Sequence, residues 1–578
     1  MKKKNIFTTL LFIIIIISII VIYHTNKNTK ILKENNNIKS TKQINSNIDL
    51  DNGDEKINWD LLEEKTINLN NKSITIEEEG IYTLTGKITN GNITINTLTD
   101  IKIILDNVSI TNNNGPAIII EQANNTVIEL KENTKNYLED GKKYENTEYD
   151  GCLFSRDDLI IQGTGTLTIK GNYLDGIVSN DDLKIIDGTY NIESNGDGIR
   201  GKDSVYIQNG TFDITSQNDS IKSTTATVSK KGFITIDNGK FTINSKEDAI
   251  QAETKLIINN GIFNIKTGDG SSSTTSAIYK NFYNGKTYNE TSMKALKSKD
   301  NLIINNGTFT IDSQDDAIHT NNYLGIKDGT INITSGDDGI HADTEIIIDN
   351  GTINIEKSYE GIESKDITIN NGTISVNSND DGINISGGND ESSIGNRPGQ
   401  NPYDSKGNGI LTINNGTINI NASGDGIDVN GSIILNNGTL YIEGPKQGGN
   451  GIIDYDQNFN INGGKLLAIG NREMLQTPST NGTQNTLIFL LDKTYNQEII
   501  LEDENNKKII SYTPQKDYSV VIISSPKIEK NKEYTLKINN KKITSLIAND
   551  LNTINGEIKN NQPPRPNGEK HHPPKEPR

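Results

Sequence analysis

Gly329-Thr-Ile-Asn-Ile333 is followed by Gly336-Asp-Asp-Gly-Ile340 and Ile346-Ile-Ile348, and the same pattern begins again at Asn350-Gly351. The turn glycines Gly307, Gly329, Gly351 and Gly372 recur in steps of 22, 22 and 21 residues. Within one period, apolar and polar residues alternate in short runs that are typical of strands. Asn-Gly, Asp-Gly or Ser/Asn clusters close each run, as turns require. Three short strands in a fixed period of this length predict one coil of a parallel β-helix.

We therefore expect an all-β chain, a right-handed parallel β-helix of about 22 residues per coil with a small C-terminal β module. No 3.6-residue apolar stripe between residues 57 and 560 indicates a helix. The expected organisation is a signal anchor at 1–23, a polar tether at 24–56, N-terminal coils and cap at 57–149, a regular β-helix at 150–474, the β module at 475–556 and a disordered proline-rich tail at 557–578.

The N-terminus has the pattern of a membrane signal. Three lysines, Lys2 to Lys4, precede the apolar run Ile6 to Tyr23, which is just long enough to span a bilayer. Positive charge before the run predicts that the chain after Tyr23 lies outside the cell, anchored to the membrane by this segment. A cleaved secretory peptide is the alternative and would place the protein on the same side.

The composition disfavours two classes of binding partner and excludes an intramolecular disulfide. The net charge of −18 disfavours nucleic acid or an anionic membrane surface, since both require clustered basic residues. The single cysteine, Cys152, excludes an intramolecular disulfide and is expected to be buried as a small apolar residue.

Carboxylates recur at the Gly-Asp-Gly-Ile turn, one per coil. The positions in this aspartate column are Asp175, Asp197, Asp219, Asp248, Asp316, Asp338, Glu360, Asp381 and Asp425. Residues one period apart stack in a β-helix, and two carboxylates about 5 Å apart repel by roughly 0.8 kcal/mol in water, or about 3 kcal/mol at a dielectric constant of about 20. Bound Ca²⁺ would relieve this repulsion, because it prefers several oxygen ligands. The alternative is that each aspartate only forms its turn.

Further carboxylates stand close to the column in sequence, such as Asp315, Asp337 and Asp380, or beyond the short strand, such as Asp300 and Asp366. The predicted calcium ligands are Asp197, Asp203, Asp219, Asp316, Asp338, Asp343, Asp381 and Asp425. Three basic residues, Arg200, Lys202 and Lys222, lie near the same turns.

Other patterns favour structural roles. Asparagines before the turn glycines, as at Asn350, Asn371 and Asn415, predict a side-chain ladder. His319 and His341 lie one period apart and are expected to stack as a surface pair. Breaks in the period at Gly268 to Thr291 and Gly387 to Asn408 predict loops that project from the solenoid, often on its binding face.

Several motifs together resemble the clostridial carbohydrate-binding β-helix family over roughly residues 57–550. They are Leu153-Phe-Ser-Arg-Asp-Asp-Leu-Ile-Ile161, the Asn-Gly-Thr-x-x-Ile turns, Gly387-Gly-Asn-Asp390 with Arg397-Pro-Gly399, Gly424-Asp-Gly-Ile-Asp428 and Glu443-Gly-Pro445. The resemblance implies a fold similar to family 9 polysaccharide lyases, calcium in the helix, binding of cellulose and acidic sugars such as polygalacturonate, and no assigned catalysis. It makes the Gly-Asp-Gly-Ile aspartates calcium ligands, but not Glu360, Lys294 or Asn450, where the motif departs.

The leading hypothesis is a cell-surface, non-catalytic, calcium-dependent binder of acidic plant or cell-wall polysaccharide. The regular β-helix at 150–474 is then the carbohydrate-binding region, and Arg200, Lys202 and Lys222 are predicted to contact the sugar. A lyase is the second hypothesis, with Ca²⁺ acidifying a uronate proton and Lys202 or Lys222 as base. Nearby carboxylates oppose that role, because they favour the charged lysine. A structural adhesin or cell-wall spacer is the third.

Overall fold

The computed structural model describes residues 57–227, 230–272, 291–386, 408–446 and 448–557, all within one compact unit. The predicted signal anchor, the tether and all but the first residue of the proline-rich tail lie outside the described residues, as do most of the two predicted loops. None of the helices in the described ranges is long and apolar enough to cross a membrane. A single 3₁₀ turn, Trp59–Leu61, precedes the first strand.

Each regular coil consists of three strands joined by tight turns, as Ile199–Gly201, Ser204–Ile207 and Thr211–Ser216 illustrate. Every strand pairs in parallel with its counterpart one coil away: Arg200 lies opposite Lys222 and Phe212 opposite Phe241. The strands therefore form three continuous faces, and the predicted parallel β-helix is confirmed.

The three faces are numbered in the order in which each regular coil passes through them. The first face contains Ile74–Ile76, Ile93–Asn96, Ile118–Gln122, Gly151–Ser155, Asp175–Ser179, Ile199–Gly201, Ile221–Ser223, Ile250–Ala252, Leu296–Ser298, Ile318–Thr320, Ile383–Ile385, Ile427–Val429 and Ile453–Tyr455. The second face contains Glu64–Asn68, Asn125–Leu130, Leu159–Gln162, Asp182–Ile185, Ser204–Ile207, Phe233–Ile236, Lys255–Ile258, Asn301–Ile304, Tyr323–Ile326, Gly409–Ile413, Gly431–Leu435 and Asn458–Ile461. Ile340–Ile348 and Ile362–Ile369 run from the first face into the second.

The third face contains Lys135–Glu139, Thr166–Gly171, Thr189–Ser194, Thr211–Ser216, Lys240–Ser245, Ile262–Thr267, Thr308–Ser313, Thr330–Ser335, Thr352–Ser358, Thr373–Ser378, Thr417–Ala422, Thr439–Glu443 and Lys465–Gly470. Gly80–Ile88 and Asp100–Thr111 run from the second face into the third.

The interior is filled by one inward-facing side chain at every second strand position. On the third face these include a stack of five rings, Tyr190, Phe212, Phe241, Phe263 and Phe309, with neighbouring centroids 4.9, 4.8, 4.7 and 4.7 Å apart. The turn glycine above each ring has no room for a side chain, since a Cβ on Gly210 would lie 2.9 Å from the Phe212 ring. Cys152 is fully buried in the same core, as predicted.

Asparagine ladders close the turn between the second and third faces. The predicted ladder forms in part, with Asn415 donating to Asn371 at 3.2 Å and Asn371 to Asn350 at 3.1 Å. A shorter-bonded ladder lies one residue earlier, where Asn414 donates to Asn370 at 2.8 Å and Asn436 to Asn414 at 2.9 Å.

The solenoid ends in an antiparallel cover. Tyr518–Ser524 pairs antiparallel with Lys465–Gly470 and with Thr486–Tyr495, while Asn552–Ile554 pairs with Thr486–Tyr495 in parallel. Four more strands form a separate antiparallel sheet: Ile499–Asp503, Lys508–Tyr512, Glu533–Ile538 and Lys541–Ile547. These strands lie within the segment predicted as a β module, and Tyr518–Ser524 covers an edge that would otherwise be open.

Candidate functional site

The aspartate column lies at the corner where each coil turns from the third face to the first. The backbone N–H of Asp197 donates to Asp175 Oδ1 at 2.8 Å, and that of Asp219 donates to Asp197 Oδ1 at 3.1 Å. The same bond joins Asp338 to Asp316 at 2.9 Å and Asp425 to Asp381 at 2.6 Å. In these aspartates, one carboxylate oxygen thus holds the next coil in place, and the other is left for a cation.

A second line of side chains, the outer row, runs beside the column on the first face. Each member follows its column residue by three positions and projects from the middle of a short strand. In order the members are Val178, Arg200, Lys222, Gln251, Lys297, His319, His341, Glu363, Asn384, Asp428 and Asp454. The row changes from cationic, through imidazole, to acidic along the solenoid.

At the cationic end, the protein neutralises its own column. Lys222 Nζ lies 2.8 Å from Asp219 Oδ2 and 3.7 Å from Asp197 Oδ2, and Arg200 Nε lies 2.8 Å from Asp175 Oδ2. Lys297 reaches Asp248 at 2.8 Å in the same way. The predicted calcium ligands Asp197 and Asp219 are therefore already paired with side-chain cations.

These pairs also bear on the predicted roles of the basic residues. The side chains of Arg200 and Lys222 are only 13% and 24% exposed, whereas Lys202 is exposed at the following corner. Burial lowers the pKa of Lys222, but Asp219 and Asp197 outweigh this effect and hold its pKa above the ordinary value. A lysine in that state is a poor base.

Two other predicted calcium ligands, Asp203 and Asp343, lie at the corner between the first and second faces. Asp203 accepts a hydrogen bond from Thr225 at 2.7 Å and pairs with Lys231, so it contacts no column residue. Asp343 lies 3.2 Å from His341 Nε2 and is thereby linked to the outer row.

In the middle of the column a buried lysine supplies the cation. Lys294 Nζ lies 2.9 Å from Asp315 Oδ1 and 2.5 Å from Asp316 Oδ2. Burial raises the pKa of Asp316, but Lys294 and His319 outweigh this effect and hold it well below its usual range. Burial and Lys294 together lower the pKa of His319 to about 4, so its imidazole is neutral.

The two histidines stack as predicted, with ring centroids 4.9 Å apart. The expectation of a surface pair was wrong, because both rings are buried, with 3% and 1% exposed. His341 contacts three carboxylates: its Nδ1 lies 3.3 Å from Asp338 Oδ2 and 3.2 Å from Glu363 Oε2, and its Nε2 faces Asp343.

At the acidic end, carboxylates meet with no basic side chain of the described residues between them. Asp381, Asp425 and Asp428 each offer an oxygen within 4.8 Å of the others, and no lysine, arginine or histidine of the described residues lies among the groups that act on them. Burial, with Asp380, Asp425 and Asp428, raises the pKa of Asp381 to about 9. Burial and neighbouring carboxylates likewise raise the pKa of Asp425 and of Asp428 to about 7.

This acidic end fits the calcium that the resemblance implies. Three carboxylates on two successive coils supply hard oxygen ligands at short separation, which is what Ca²⁺ requires. A Cβ on Gly424 would collide with carboxylate oxygens of Asp380 and Asp381. Because glycine has no side chain, these two carboxylates have room at the turn.

Two of the three residues, Asp381 and Asp425, were predicted as calcium ligands. Asp428 was missed, although the sequence shows that it follows the column residue Asp425 by three positions. Gly451, rather than Asn450, donates to Asp425 and takes the next column position.

A neutral groove follows the Asn-Gly-Thr turns at the corner between the second and third faces. Gly329, Gly351 and Gly372 form its floor, and the exposed Thr330, Thr352 and Thr373 line it at one hydroxyl per coil. Residues Ser525 to Lys527 of the C-terminal module also line it. Most of the lining is uncharged, and its charged residues are Asp328, Lys465 and Lys527.

Known proteins have sequences similar to that of this chain. The family model of carbohydrate-binding domain-containing proteins matches residues 70–339 and 337–469, more than half of the chain. A carbohydrate-binding domain-containing protein of Acetivibrio thermocellus is 33% identical over 162 residues, which cover 27% of this chain and 55% of that relative. The match thus spans little more than half of the relative's length.

Among solved structures, the gadolinium derivative of the polysaccharide lyase-like protein from C. thermocellum matches with 25% identity and a TM-score of 0.34, over 46% of this chain and 96% of that one. The chain belongs to the family of carbohydrate-binding domain-containing proteins.

Proposed function

We propose that the protein is a non-catalytic, calcium-dependent receptor for an acidic polysaccharide, with Asp381, Asp425 and Asp428 holding the ion. The observation that carries the proposal is the contrast along the outer row. Lys222 and Lys297 neutralise buried column carboxylates at one end, and no equivalent cation of the described residues reaches the acidic end. A divalent ion bound between these carboxylates would stabilise their charged form.

Calcium at this position also explains how an acidic protein binds an acidic polymer. The chain carries a net charge of −18, so direct contact with uronate carboxylates is repulsive. Ca²⁺ takes six to eight oxygen ligands, and three carboxylates leave positions for ligands from the polymer. A polygalacturonate-like chain is therefore the proposed ligand, and the neutral groove is the alternative surface for cellulose.

In the part of the chain that the structure describes, no suitable base lies beside the acidic cluster, which supports a binding role over the lyase alternative. Abstraction of a uronate proton requires an uncharged lysine or arginine near the metal. Beside the acidic cluster the outer row carries Asn384, Asp428 and Asp454, and Lys222, at the far end of the row, is held in its charged form.

A cell-surface location is part of the same proposal. It is supported by the lysines and the apolar run of residues 2–23. A surface location would bring the solenoid into contact with extracellular polysaccharide.

The test is co-sedimentation with polygalacturonate in calcium and in chelator, with ultraviolet absorbance recorded for unsaturated products. Calcium-dependent pelleting without absorbance is the expected result. Asp428→Asn should lose pelleting, while Asp213→Asn, which removes an exposed carboxylate on the third face, should retain it. This control matters because calcium gels of the polymer can trap proteins. Rising absorbance would establish a lyase instead, and no pelleting of the wild type would leave the structural spacer.

A further inference from the structure

His341 is the only described histidine on which two carboxylates converge at one ring nitrogen. Asp338 is the column residue three positions before His341, and Glu363 is the next member of the outer row, one coil further along. All three side chains are at least nine-tenths buried, with 6%, 1% and 4% exposed for Asp338, His341 and Glu363. Their ligand atoms lie within 4.8 Å of one another.

The preceding coil shows what this arrangement lacks. There, the buried ammonium of Lys294 lies between Asp315 and Asp316, and Asp316 is the one carboxylate of the described residues that pairs with His319. No lysine or arginine of the described residues forms an ion pair with Asp338 or Glu363, and His341 is their partner instead. Even a charged imidazole offsets only one of these two carboxylates.

The distances match a metal coordination sphere. Ligand atoms about 2.0–2.1 Å from a tetrahedral Zn²⁺ lie about 3.3–3.4 Å from each other. His341 Nδ1 is 3.3 Å from Asp338 Oδ2 and 3.2 Å from Glu363 Oε2. An imidazole nitrogen favours Zn²⁺ or a similar first-row ion over Ca²⁺, which prefers oxygen ligands throughout.

Two neighbours complete the arrangement. Asp343 Oδ1 lies 3.2 Å from His341 Nε2, and a carboxylate on the other ring nitrogen is the usual way in which a metal-binding histidine is oriented. Asn384 donates from Nδ2 to Glu360 at 2.7 Å and to Glu363 at 3.5 Å. Its own Oδ1 is buried and has no hydrogen-bond partner among the described residues, so it is available to a water on the metal.

We propose that Asp338, His341 and Glu363 bind one Zn²⁺ ion through mixed nitrogen and oxygen ligands, separate from the calcium cluster at Asp381, Asp425 and Asp428. Two carboxylates and one imidazole leave a fourth position for water. The site joins successive coils of the first face, and Asp343 fixes the ring that serves as its nitrogen ligand.

The test is zinc binding by the full chain, with His571 and His572 changed to alanine throughout to remove tail histidines, in millimolar calcium. Titration calorimetry should give one zinc site, and Co²⁺ should give the visible absorption of a four-coordinate ion with a nitrogen ligand. His341→Gln should lower zinc affinity at least 100-fold. His319→Gln, which alters the ring stacked on His341, should leave zinc affinity within threefold.

Equal zinc binding by the wild type and by His341→Gln would overturn the proposal, as would displacement of zinc by millimolar calcium. Circular dichroism will show whether His341→Gln is folded. Glu363→Gln serves as a second variant, because it keeps the size of the side chain and removes one ligand charge; undiminished zinc binding there would also overturn it.

Discussion

Replacing Lys222 by methionine removes a cation that the column requires, while keeping much of the apolar stem. Lys222 is the only lysine of the described residues that pairs with Asp219, at 2.8 Å, and it also reaches Asp197 at 3.7 Å. The two carboxylates are 2% and 5% exposed. The substitution therefore leaves buried negative charge without its partner.

The expected cost follows from the burial of the pair. Removing one partner of a fully buried ion pair costs about 3–5 kcal/mol. Lys222 keeps 24% of its side chain exposed, so solvent screens part of the loss and we expect about 2–3 kcal/mol. The double variant Lys222→Met/Asp219→Asn should recover a part of it, since one unpaired charge is removed.

The assay is urea denaturation, together with hydrogen exchange of the strands Thr211–Ser216 and Lys240–Ser245, because a solenoid can open coil by coil. Lys246→Met is the matched control: its pair with Asp269 is 50% and 72% exposed, so its loss should cost less than about 1 kcal/mol. Equal stabilities of Lys222→Met and Lys246→Met would refute the view that the column depends on built-in cations.

Three further predictions concern the core, the C-terminal cover and the groove. Phe241→Ala breaks the ring stack and should lower the free energy of unfolding by about 3–5 kcal/mol in urea denaturation; a loss below about 1 kcal/mol would contradict the stack's role. Glu443→Ala leaves the Tyr512 hydroxyl and the N–H groups of Gln515 and Lys516 without their acceptor. The substitution should make residues 475–556 sensitive to protease, and unchanged digestion would argue against a role of Glu443 in holding the C-terminal cover. Thr352→Lys alters the neutral groove and should leave polygalacturonate pelleting unchanged, whereas reduced pelleting would place the polymer there.

The solenoid could be predicted because its determinants are local and repeated. The turn glycines and the alternation around Ile331 and Ile333 recur every coil, so strand length, turn position and parallel stacking follow from one period. Stacking of column carboxylates was predicted for the same reason, and the Asp219 N–H bond to Asp197 confirms it. That bond gives the aspartates a structural role between coils, which differs from the predicted alternative of a bond within each residue's own turn.

The outer row was harder to predict because its residue type changes from coil to coil. Arg200, His341 and Asp428 share a position on the first face but no chemistry, so no repeat signals the row. Burial of His319 and His341 depends on neighbouring coils and long side chains, which a periodicity does not encode. The antiparallel strand Tyr518–Ser524 joins Lys465–Gly470 across some fifty residues of chain, and non-local pairing of that kind leaves no local pattern.

Calcium titration of the wild type and of Asp428→Asn tests the central claim most directly. The account predicts a calcium site in the wild type that Asp428→Asn weakens at least tenfold, about 1.4 kcal/mol or more. Asp213→Asn should bind calcium as the wild type does. Undiminished calcium binding by Asp428→Asn would contradict the assignment of the ion to the acidic end of the first face.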